Sequence, residues 1–457
     1  MTAHLAIREY EKVYLGAKPT KTGSREAGRL MISPKHYKWL ERFDENHADG
    51  EGRQIFDWRR RWFRPKNWVG VVQVGDLTVE ILPKIDTREE EDGDAEQAIQ
   101  FSRANLLYML SLSGDVPLRE RDVASQALRK APISETLIAL FADRLMQELV
   151  RGRHHAYVTQ RENLKVLRGK LLFSQHLKQN VARKDRFFVE HDDFLPDTLI
   201  NQIFKSACAK LRNVTRRVAT EEKLGYCLMA LHEVSHREIQ LEDFERVIEN
   251  RQNERFAEPL RFCQMILTGN APTARAGGVK TFALLFNMNE VFERFVAAFM
   301  RRHVIREADF PDATVHAQSR GIKRHLLWRS GTDTGRELRL KPDIVIQDHD
   351  GYVVLDTKWK RLNGGKSYRQ GVTGADLYQL FAYAHRYKAG QSVLLYPWVE
   401  GAQPRIMQVP DTSQTVHVRF VRLDRDLGSR AGREALAEEL RGMLGVLEIS
   451  GASQVNS

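Results

Sequence analysis

The spacing of apolar residues divides the 457-residue chain into stretches of different character. The first hundred residues contain short β-type runs, and the clearest of them, residues 68–84, is centred on a Gly75-Asp76 turn that predicts a hairpin. Residues 98–268 instead place apolar side chains three and four positions apart, the spacing of helices. The predicted regions are a β-rich N-terminal region (1–95), a mainly helical middle domain (96–268), a linker (269–279), an α/β domain (280–447) and a disordered tail (448–457).

Single runs within these regions predict individual elements. The clearest helical stripe lies in residues 133–150, and residues 156–166 have the pattern of a short strand. After the linker, the pattern predicts a helix over 284–302, then strands, a helix over 376–387 and a strand over 393–396. A helix, strands, a helix and a strand in this order suit an α/β domain.

The charge balance is basic, because 71 Lys and Arg against 60 Asp and Glu give a formal net charge of +11. This excess favours a polyanionic partner such as nucleic acid, and ordinary solubility charge is the alternative explanation. The first ten residues lack the apolar core of a signal peptide, and no apolar run is long enough to span a bilayer, so a cytoplasmic location is expected. Three cysteines without CxxC spacing support neither a disulfide framework nor a zinc site.

One segment of the α/β domain carries candidate chemistry. Residues 338–346 and 352–360 are β-rich runs on either side of an Asp-Gly turn, which predicts a second hairpin. Alternation along the strands then puts Asp343, Asp356 and Lys358 on one face, and a shift of the pairing by two positions leaves them there.

Two carboxylates and a lysine on one sheet face are unfavourable unless something compensates the negative charges. Oxygen ligands that leave room for water and phosphate oxygens suit Mg²⁺. Such a metal stabilises charge that develops on a phosphodiester, and Lys358 would position or polarise the nucleophile. The pattern predicts phosphodiester hydrolysis, and the alternative is an Asp-Lys ion pair at a sheet edge.

The motifs of several other enzyme classes are missing from the sequence. At Gly364-Gly365-Lys366-Ser367, which resembles the end of a GxxxxGK[ST] P-loop, the first glycine position is occupied by Lys360. The HExxH and GxSxG motifs are also absent. The chain is therefore not expected to hydrolyse nucleoside triphosphates itself.

The residues around Asp343 resemble a known nuclease signature. Pro342-Asp343 with Asp356-Thr357-Lys358 is similar to the PD-(D/E)xK motif, whose core has the order αβββαβ. Further strings resemble the McrC family, the nuclease subunit of McrBC-type modified-cytosine restriction systems. These strings are VEILPKI at 79–85, LRGKL at 167–171, LFNMNEVFE at 285–293 and DLYQL at 376–380. The resemblance implies a multidomain α+β protein whose C-terminal α/β domain is a PD-(D/E)xK nuclease.

The resemblance also implies a function and roles for single residues. The chain would be a Mg²⁺-dependent endodeoxyribonuclease subunit that cleaves double-stranded DNA with an AAA+ GTPase of the McrB type, which reads the modified-cytosine site. Region 1–95 would contact this partner and stimulate its GTPase. Carried over by position, Asp343 and Asp356 would bind Mg²⁺, Lys358 would assist the attacking water, and Glu293 would support a water at the metal, with Glu290 as the alternative.

Three further residues are candidates for the same site. Asp376 and Gln379 lie three positions apart on one predicted helical face, where they would support the site, and the alternative is a helix N-terminal Asp beside an exposed Gln. Lys360 has the same strand parity as Lys358, so it would contact the DNA backbone or be a solvated edge lysine.

A basic and aromatic segment at residues 53–68 is a candidate partner or DNA surface. Its side chains are Arg59, Arg60, Arg61, Arg64 and Lys66, interleaved with Trp58, Trp62, Phe63 and Trp68. Such a segment holds phosphates and stacks bases, or presents an arginine to a partner's nucleotide. The alternative is a plain strand pair with its arginines outward.

The sequence is also compatible with two other functions. The chain could be a non-cleaving activator or adaptor of an AAA+ ring, although intact Asp343, Asp356 and Lys358 favour cleavage. It could also be a stand-alone DNA repair nuclease, which would cut DNA with a metal ion and no nucleotide.

Overall fold

The computed structural model groups the chain into two compact units. Unit 1 consists of residues 1–133 and 270–457, and unit 2 of residues 134–269. The described residues are 3–16, 21–47, 54–85, 95–123, 130–247, 251, 253–268, 281–305, 310, 312–318, 321–328, 336–349, 351–362 and 371–446. The linker predicted at 269–279 and the tail predicted at 448–457 lie outside the described residues.

The N-terminal part of unit 1 contains short strands followed by helices. Its elements are β1 (Ala3–Arg8), β2 (Val13–Leu15), β3 (Arg25–Glu26), β4 (Arg29–Ile32), α1 (Pro34–His47), β5 (Phe56–Arg59), β6 (Trp62–Pro65), β7 (Trp68–Val74), β8 (Leu77–Leu82), α2 (Ala95–Ser113) and α3 (Glu120–Val123). The hairpin predicted at 68–84 is confirmed, because Val74 pairs with Leu77 across the Gly75-Asp76 turn. Gly75 has a φ of 60°, which a glycine adopts without steric cost.

Unit 2 contains helices and a three-stranded sheet. Its elements are α4 (Ile133–Val150), β9 (Ala156–Leu164), β10 (Lys170–Leu171), α5 (Phe173–Asn180), β11 (Phe187–Leu195), α6 (Leu199–Arg212), α7 (Val218–Ala230), α8 (Leu241–Glu245) and α9 (Ala257–Thr268), and α4 begins at the last residue of unit 1. The sheet has the order β10-β11-β9 and is antiparallel. Cys208, Cys227 and Cys263 are buried, and none of them forms a disulfide.

The C-terminal part of unit 1 alternates strands and helices. Its elements are β12 (Thr281–Asn287), α10 (Met288–Phe299), β13 (Thr314–Ala317), β14 (Arg324–Trp328), β15 (Arg336–Leu340), β16 (Ile344–Gln347), β17 (Tyr352–Thr357), α11 (Gly374–Tyr387), β18 (Gln391–Pro397), β19 (Arg405–Gln408), β20 (Thr415–Val421) and α12 (Arg430–Val446). A π-helical turn, Met300–Val304, extends α10.

Three larger sheets organise unit 1. One has the order β1-β8-β7-β12, and β8, which lies between β1 and β7, is buried along its whole length. A second has the order β3-β4-β2-β6-β5, and the two share a core that includes Leu40, Phe56, Phe63 and Val79. The third has six strands in the order β13-β16-β17-β18-β20-β19.

The six-stranded sheet is mixed in direction. Strands β17, β18 and β20 run parallel, whereas β16 is antiparallel to both β13 and β17. Helix α11 packs on this sheet, where Val354, Leu380, Tyr387 and Leu394 belong to one buried cluster. Strands covered on both faces are apolar along most of their length, which explains the near-continuous apolar runs of β17 and β18.

Two features differ from the sequence-based expectations. The helix predicted over 284–302 begins only at Met288, because residues 281–287 form β12 and pair with β7. The apolar run at the start of the predicted helix fits a buried strand equally well. Residues 95–123, assigned from sequence largely to the middle domain, lie in unit 1. Among the described residues, no helix is long and apolar enough to cross a membrane.

Candidate functional site

The candidate site lies where β16 and β17 meet in the six-stranded sheet. Asp343 immediately precedes β16, Asp356 is the penultimate residue of β17, and Lys358 follows that strand. Ile344 pairs with Leu355 at the end of the antiparallel ladder, so Asp343 and Asp356 occupy the next opposite positions of the two segments. The structure therefore brings together the two aspartates and the lysine that the alternation pattern put on one face.

Asp343 is held in place by Thr357, the residue that follows Asp356. Its Oδ2 accepts hydrogen bonds from the main-chain N–H and from the Oγ1 hydroxyl of Thr357, both at 2.7 Å. Burial, reinforced by the negative charge of Glu293, raises the pKa of Asp343 to about 6, although the two hydrogen bonds and Lys358 oppose the shift. This carboxyl is thus fixed in orientation and costly to ionise without a nearby cation.

Asp356 is fully buried and incompletely compensated. The Lys358 ammonium lies 2.7 Å from its Oδ2, while Oδ1 accepts no hydrogen bond from any described residue. Burial and the charge of Asp343 raise the pKa of Asp356 to about 6, against the opposing effect of Lys358. A buried carboxylate oxygen without a partner is costly, so this atom is suited to a ligand that the chain does not itself supply.

Lys358 is part of a chain of hydrogen bonds that reaches α11. Its ammonium donates to Gln379 Oε1 at 3.1 Å, and Gln379 Nε2 donates to the Tyr383 hydroxyl at 2.9 Å. The Tyr383 hydroxyl in turn donates to the main-chain oxygen of Lys341 at 3.2 Å. Burial lowers the pKa of Lys358, but the neighbouring carboxylates, Asp356 first, outweigh burial and leave the pKa raised. The ammonium is therefore charged and oriented.

Glu293 and its alternative Glu290 have different surroundings, although both lie on α10. Burial raises the pKa of Glu293, and Asp356 adds to the rise, while a hydrogen bond from the Gln318 side chain opposes it. Glu290 is exposed and forms an ion pair with Arg294 at 3.2 Å. Glu293 is therefore the carboxylate that senses the charge of the aspartates.

Gln318 is a residue of this site that the sequence analysis did not identify. It follows β13, its main-chain N–H donates to the Asp343 carbonyl at 2.8 Å, and its side chain donates to Glu293. Its φ of 49° is left-handed, a conformation that costs a non-glycine residue roughly 1–2 kcal/mol. Backbone strain of this kind leaves no mark in the sequence, and a lone glutamine gives no motif.

Asp376 and Lys360 pair with each other rather than with the two aspartates. Asp376 forms a capping box with Thr373 at the start of α11, and its Oδ2 contacts the Lys360 ammonium. Burial opposes ionisation, but the contacts with Lys360 and Thr373 outweigh it and lower the pKa of Asp376. The helix N-terminal role considered from sequence is present, and the charge of Asp376 also contributes to the raised pKa of Asp356.

The basic and aromatic segment belongs to another sheet of unit 1, at the β5–β6 hairpin. Arg60 and Arg61 form its exposed turn, whereas Arg59 and Arg64 both pair with Asp57, at 3.5 and 3.0 Å. Arg53 lies outside the described residues. The outward-facing arginines that the sequence offered as an alternative are present, which leaves a partner or DNA role open.

Comparison with known proteins identifies the family. A sequence model described as McrBC 5-methylcytosine restriction system component matches residues 63–397. The chain belongs to this family. The matched range contains Glu293, Asp343, Asp356 and Lys358, so the whole candidate site lies within the McrBC family region. No curated protein sequence matches the chain significantly.

Two solved structures share the fold of this McrBC family chain. One is a refined half-complex from the tetradecameric assembly of Thermococcus gammatolerans McrB AAA+ hexamers with bound McrC. It matches with a TM-score of 0.66 at 19% identity, covering 96% of this chain and 100% of the other. The other is the cryo-EM structure of the Thermococcus gammatolerans McrBC complex, with a TM-score of 0.50 at 21% identity, covering 66% and 89%. At these identities the likeness concerns the fold alone.

Proposed function

We propose that this chain is the Mg²⁺-dependent endodeoxyribonuclease subunit of a GTP-dependent restriction complex. The observation that carries the proposal is the position of Asp343 and Asp356 one step beyond the Ile344–Leu355 pair of β16 and β17, with the Lys358 ammonium 2.7 Å from Asp356 Oδ2. Such a set of two carboxylates and a lysine suits phosphodiester hydrolysis. The PD-(D/E)xK assignment rests on these residues and on the order of the elements around them.

The residues fit a divalent cation with oxygen ligands. Asp356 has a buried Oδ1 without a partner among the described residues, and Asp343 is the neighbouring carboxylate. No three His, Cys, Asp or Glu side chains of the described part form a metal-binding group. Two protein carboxylates are nevertheless the usual provision for Mg²⁺, which keeps several waters and takes substrate phosphate oxygens as further ligands. When bound, Mg²⁺ would supply positive charge that stabilises charge developing on the phosphodiester.

The side chains around the aspartates have separate tasks in this proposal. Lys358 is held by Gln379, so its ammonium keeps one orientation in which it positions the attacking water. Thr357 fixes the Asp343 carboxylate through two hydrogen bonds. Glu293, whose pKa is raised mainly by burial, is suited to accept a proton from a water close to the aspartates.

The motor activity would come from a partner, since the sequence contains no P-loop. The fold matches a chain of a Thermococcus gammatolerans assembly of McrB AAA+ hexamers with bound McrC, which supports an AAA+ GTPase of the McrB type as the partner. In this proposal the partner reads modified cytosine in double-stranded DNA. The N-terminal region, with Arg59, Arg60, Arg61 and Arg64, is the candidate partner contact.

The test separates cutting from partner activation. Asp343→Ala and Lys358→Ala are each assembled with the GTPase partner, and DNA cleavage and GTP turnover are measured independently. Loss of cleavage with retained stimulation of GTP turnover is the expected result. Unchanged cleavage in both variants would overturn the assignment of the site, and no cleavage by the wild-type complex would favour the activator or adaptor function.

A further inference from the structure

Three basic residues, Arg8, Lys84 and Arg361, lie close enough for their charges to act on one another, and all three are separate from the candidate site. Arg8 is the last residue of β1, Lys84 follows β8, and Arg361 lies three residues after Lys358. Lys84 belongs to the VEILPKI string at 79–85, and the proposed hydrolysis gives this lysine no role. The three residues thus come from separate parts of the chain.

Hydrogen bonds of Glu9 bring these three segments together. The main-chain N–H of Glu9 donates to the Leu82 carbonyl at 2.9 Å, in continuation of the parallel pairing of Arg8 with Leu82. The main-chain N–H of Lys84 donates to Glu9 Oε2 at 3.4 Å. The Trp359 indole Nε1 lies 3.1 Å from Glu9 Oε1 and 3.0 Å from Oε2, so it donates to this carboxyl. Arg8 is the neighbour of Glu9 in the chain, Lys84 donates a hydrogen bond to Glu9, and Arg361 lies two residues after Trp359, which also donates to Glu9.

The positive charges of this cluster are poorly compensated. Burial lowers the pKa of Lys84, and the charges of Arg361 and Arg8 lower it further, while the charge of Glu11 opposes the shift. Glu11 accepts a hydrogen bond from the main-chain N–H of Arg8 at 2.9 Å, and it also pairs with Arg25. Within the described ranges, no carboxylate forms an ion pair with the side chains of Arg8, Lys84 or Arg361. Glu9 does not neutralise them at pH 7, because burial raises its pKa to about 8. An arrangement of like charges is stabilised by a bound anion.

We propose that Arg8, Lys84 and Arg361 form a binding site for a backbone phosphate of the DNA that is cut. This inference rests on the proposed nuclease function. Arg and Lys are the side chains that bind phosphate through charge-assisted hydrogen bonds, and Lys84 and Arg361 are exposed to solvent. The three residue-to-residue steps from Lys358 to Arg361 span at most about 11 Å, the length of a few nucleotides along a strand. DNA in the candidate site would therefore pass close to this cluster.

The test measures how DNA binding depends on salt. Lys84→Gln and Arg361→Gln are compared with Arg430→Gln, which removes a positive charge from an exposed residue of α12. Each variant is assembled with the GTPase partner, and Ca²⁺ replaces Mg²⁺ to slow cutting while a DNA duplex is titrated. Each cluster substitution should reduce the slope of log affinity against log salt by about 1 and weaken binding several-fold for every duplex sequence. Arg430→Gln should match the wild-type slope.

Two results would overturn this inference. One is a slope for the Lys84 and Arg361 variants that equals the slope of Arg430→Gln. The other is an unchanged slope together with weaker assembly or lower GTP turnover, which would assign the cluster to the protein partner. The charge-conserving Lys84→Arg and Arg361→Lys variants should retain most of the slope, which separates charge loss from misfolding. Because Asp343→Ala is scored by cutting and these variants by binding, failure of the nuclease assignment is distinguishable from failure of the phosphate site.

Discussion

Glu9 makes the stability of unit 1 depend on pH in a way that can be calculated. The side chain is 1% exposed, and burial raises its pKa from 4.5 to about 8, although hydrogen bonds from Trp359 and Lys84 favour the ionised form. In the unfolded chain the carboxyl ionises near its ordinary pKa, whereas in the folded protein it keeps its proton up to about pH 8. The stability associated with the protonated form is thus fully present below pH 4.5 and is lost as the pH rises towards 8.

The size of the effect follows from this difference in pKa. Between pH 5 and pH 8 the ionisation of Glu9 in the unfolded chain lowers the free energy of unfolding by roughly 3–4 kcal/mol, because each pH unit between the two pKa values contributes about 1.4 kcal/mol. Glu9→Gln cannot ionise, and its amide can still accept the indole hydrogen bond of Trp359. The stability advantage of Glu9→Gln over wild type should therefore grow by the same amount across this range.

The assay is urea unfolding of both proteins at pH 5, 6, 7 and 8 in buffer with EDTA, analysed by linear extrapolation for the transition of unit 1. Glu45→Gln, at an exposed position of α1, is the matched control for removal of a carboxyl. Differencing the variant against wild type removes the contributions of Asp343 and Asp356, which also ionise in this range. Parallel pH profiles of wild type and Glu9→Gln would refute the assignment of a buried, protonated Glu9.

Three further predictions concern the candidate site. Lys358→Met should abolish DNA cleavage and yet tighten Mg²⁺ binding, measured by calorimetric titration, because the Lys358 ammonium competes with the metal ion for Asp356 Oδ2. Weaker Mg²⁺ binding by the variant would contradict this prediction. Gln318→Gly should be about 1 kcal/mol more stable than Gln318→Ala, because the alanine variant keeps the strained left-handed backbone. Both variants should cut DNA more slowly than wild type because Glu293 loses a hydrogen bond, and wild-type cleavage rates would refute the role of Gln318 in orienting Glu293. At limiting Mg²⁺ the cleavage rate should decrease as the pH is lowered below about 6, because the raised pKa values of Asp343 and Asp356 let protons compete with Mg²⁺ for these carboxylates. A cleavage rate that stays constant from pH 5 to 8 would contradict this prediction.

Strand alternation was sufficient to predict the centre of the candidate site. A period of two fixes which side chains share a face, whatever the length of the turn, so Asp343, Asp356 and Lys358 could be assigned to one face without coordinates, although the register stayed undecided. The hairpin at the Gly75-Asp76 turn could also be predicted from the sequence, because its two strands are adjacent in the chain.

Contacts between distant segments could not be predicted in the same way. Glu9 and Trp359 are 350 residues apart, and nothing in either local pattern indicates their hydrogen bond. Gln318 has a strained left-handed backbone, and its main-chain N–H bonds the Asp343 carbonyl just after β13 ends. No residue type is characteristic of such a position, so the sequence does not indicate the strain. The apolar run at 284–287 fitted both a helix and a buried strand, and pairing with β7 decided between them.

The most direct test of the nuclease assignment is one reaction in which DNA cleavage and GTP turnover are followed together for Asp356→Asn. The substitution keeps the size of the buried side chain and removes its charge. Glu290→Gln, on the exposed face of α10, is the matched control and should behave as wild type. Cleavage by Asp356→Asn should fall by roughly 10²–10³-fold while GTP turnover stays at the wild-type level. Cleavage at the wild-type rate would contradict the assignment of Asp356 to a nuclease site.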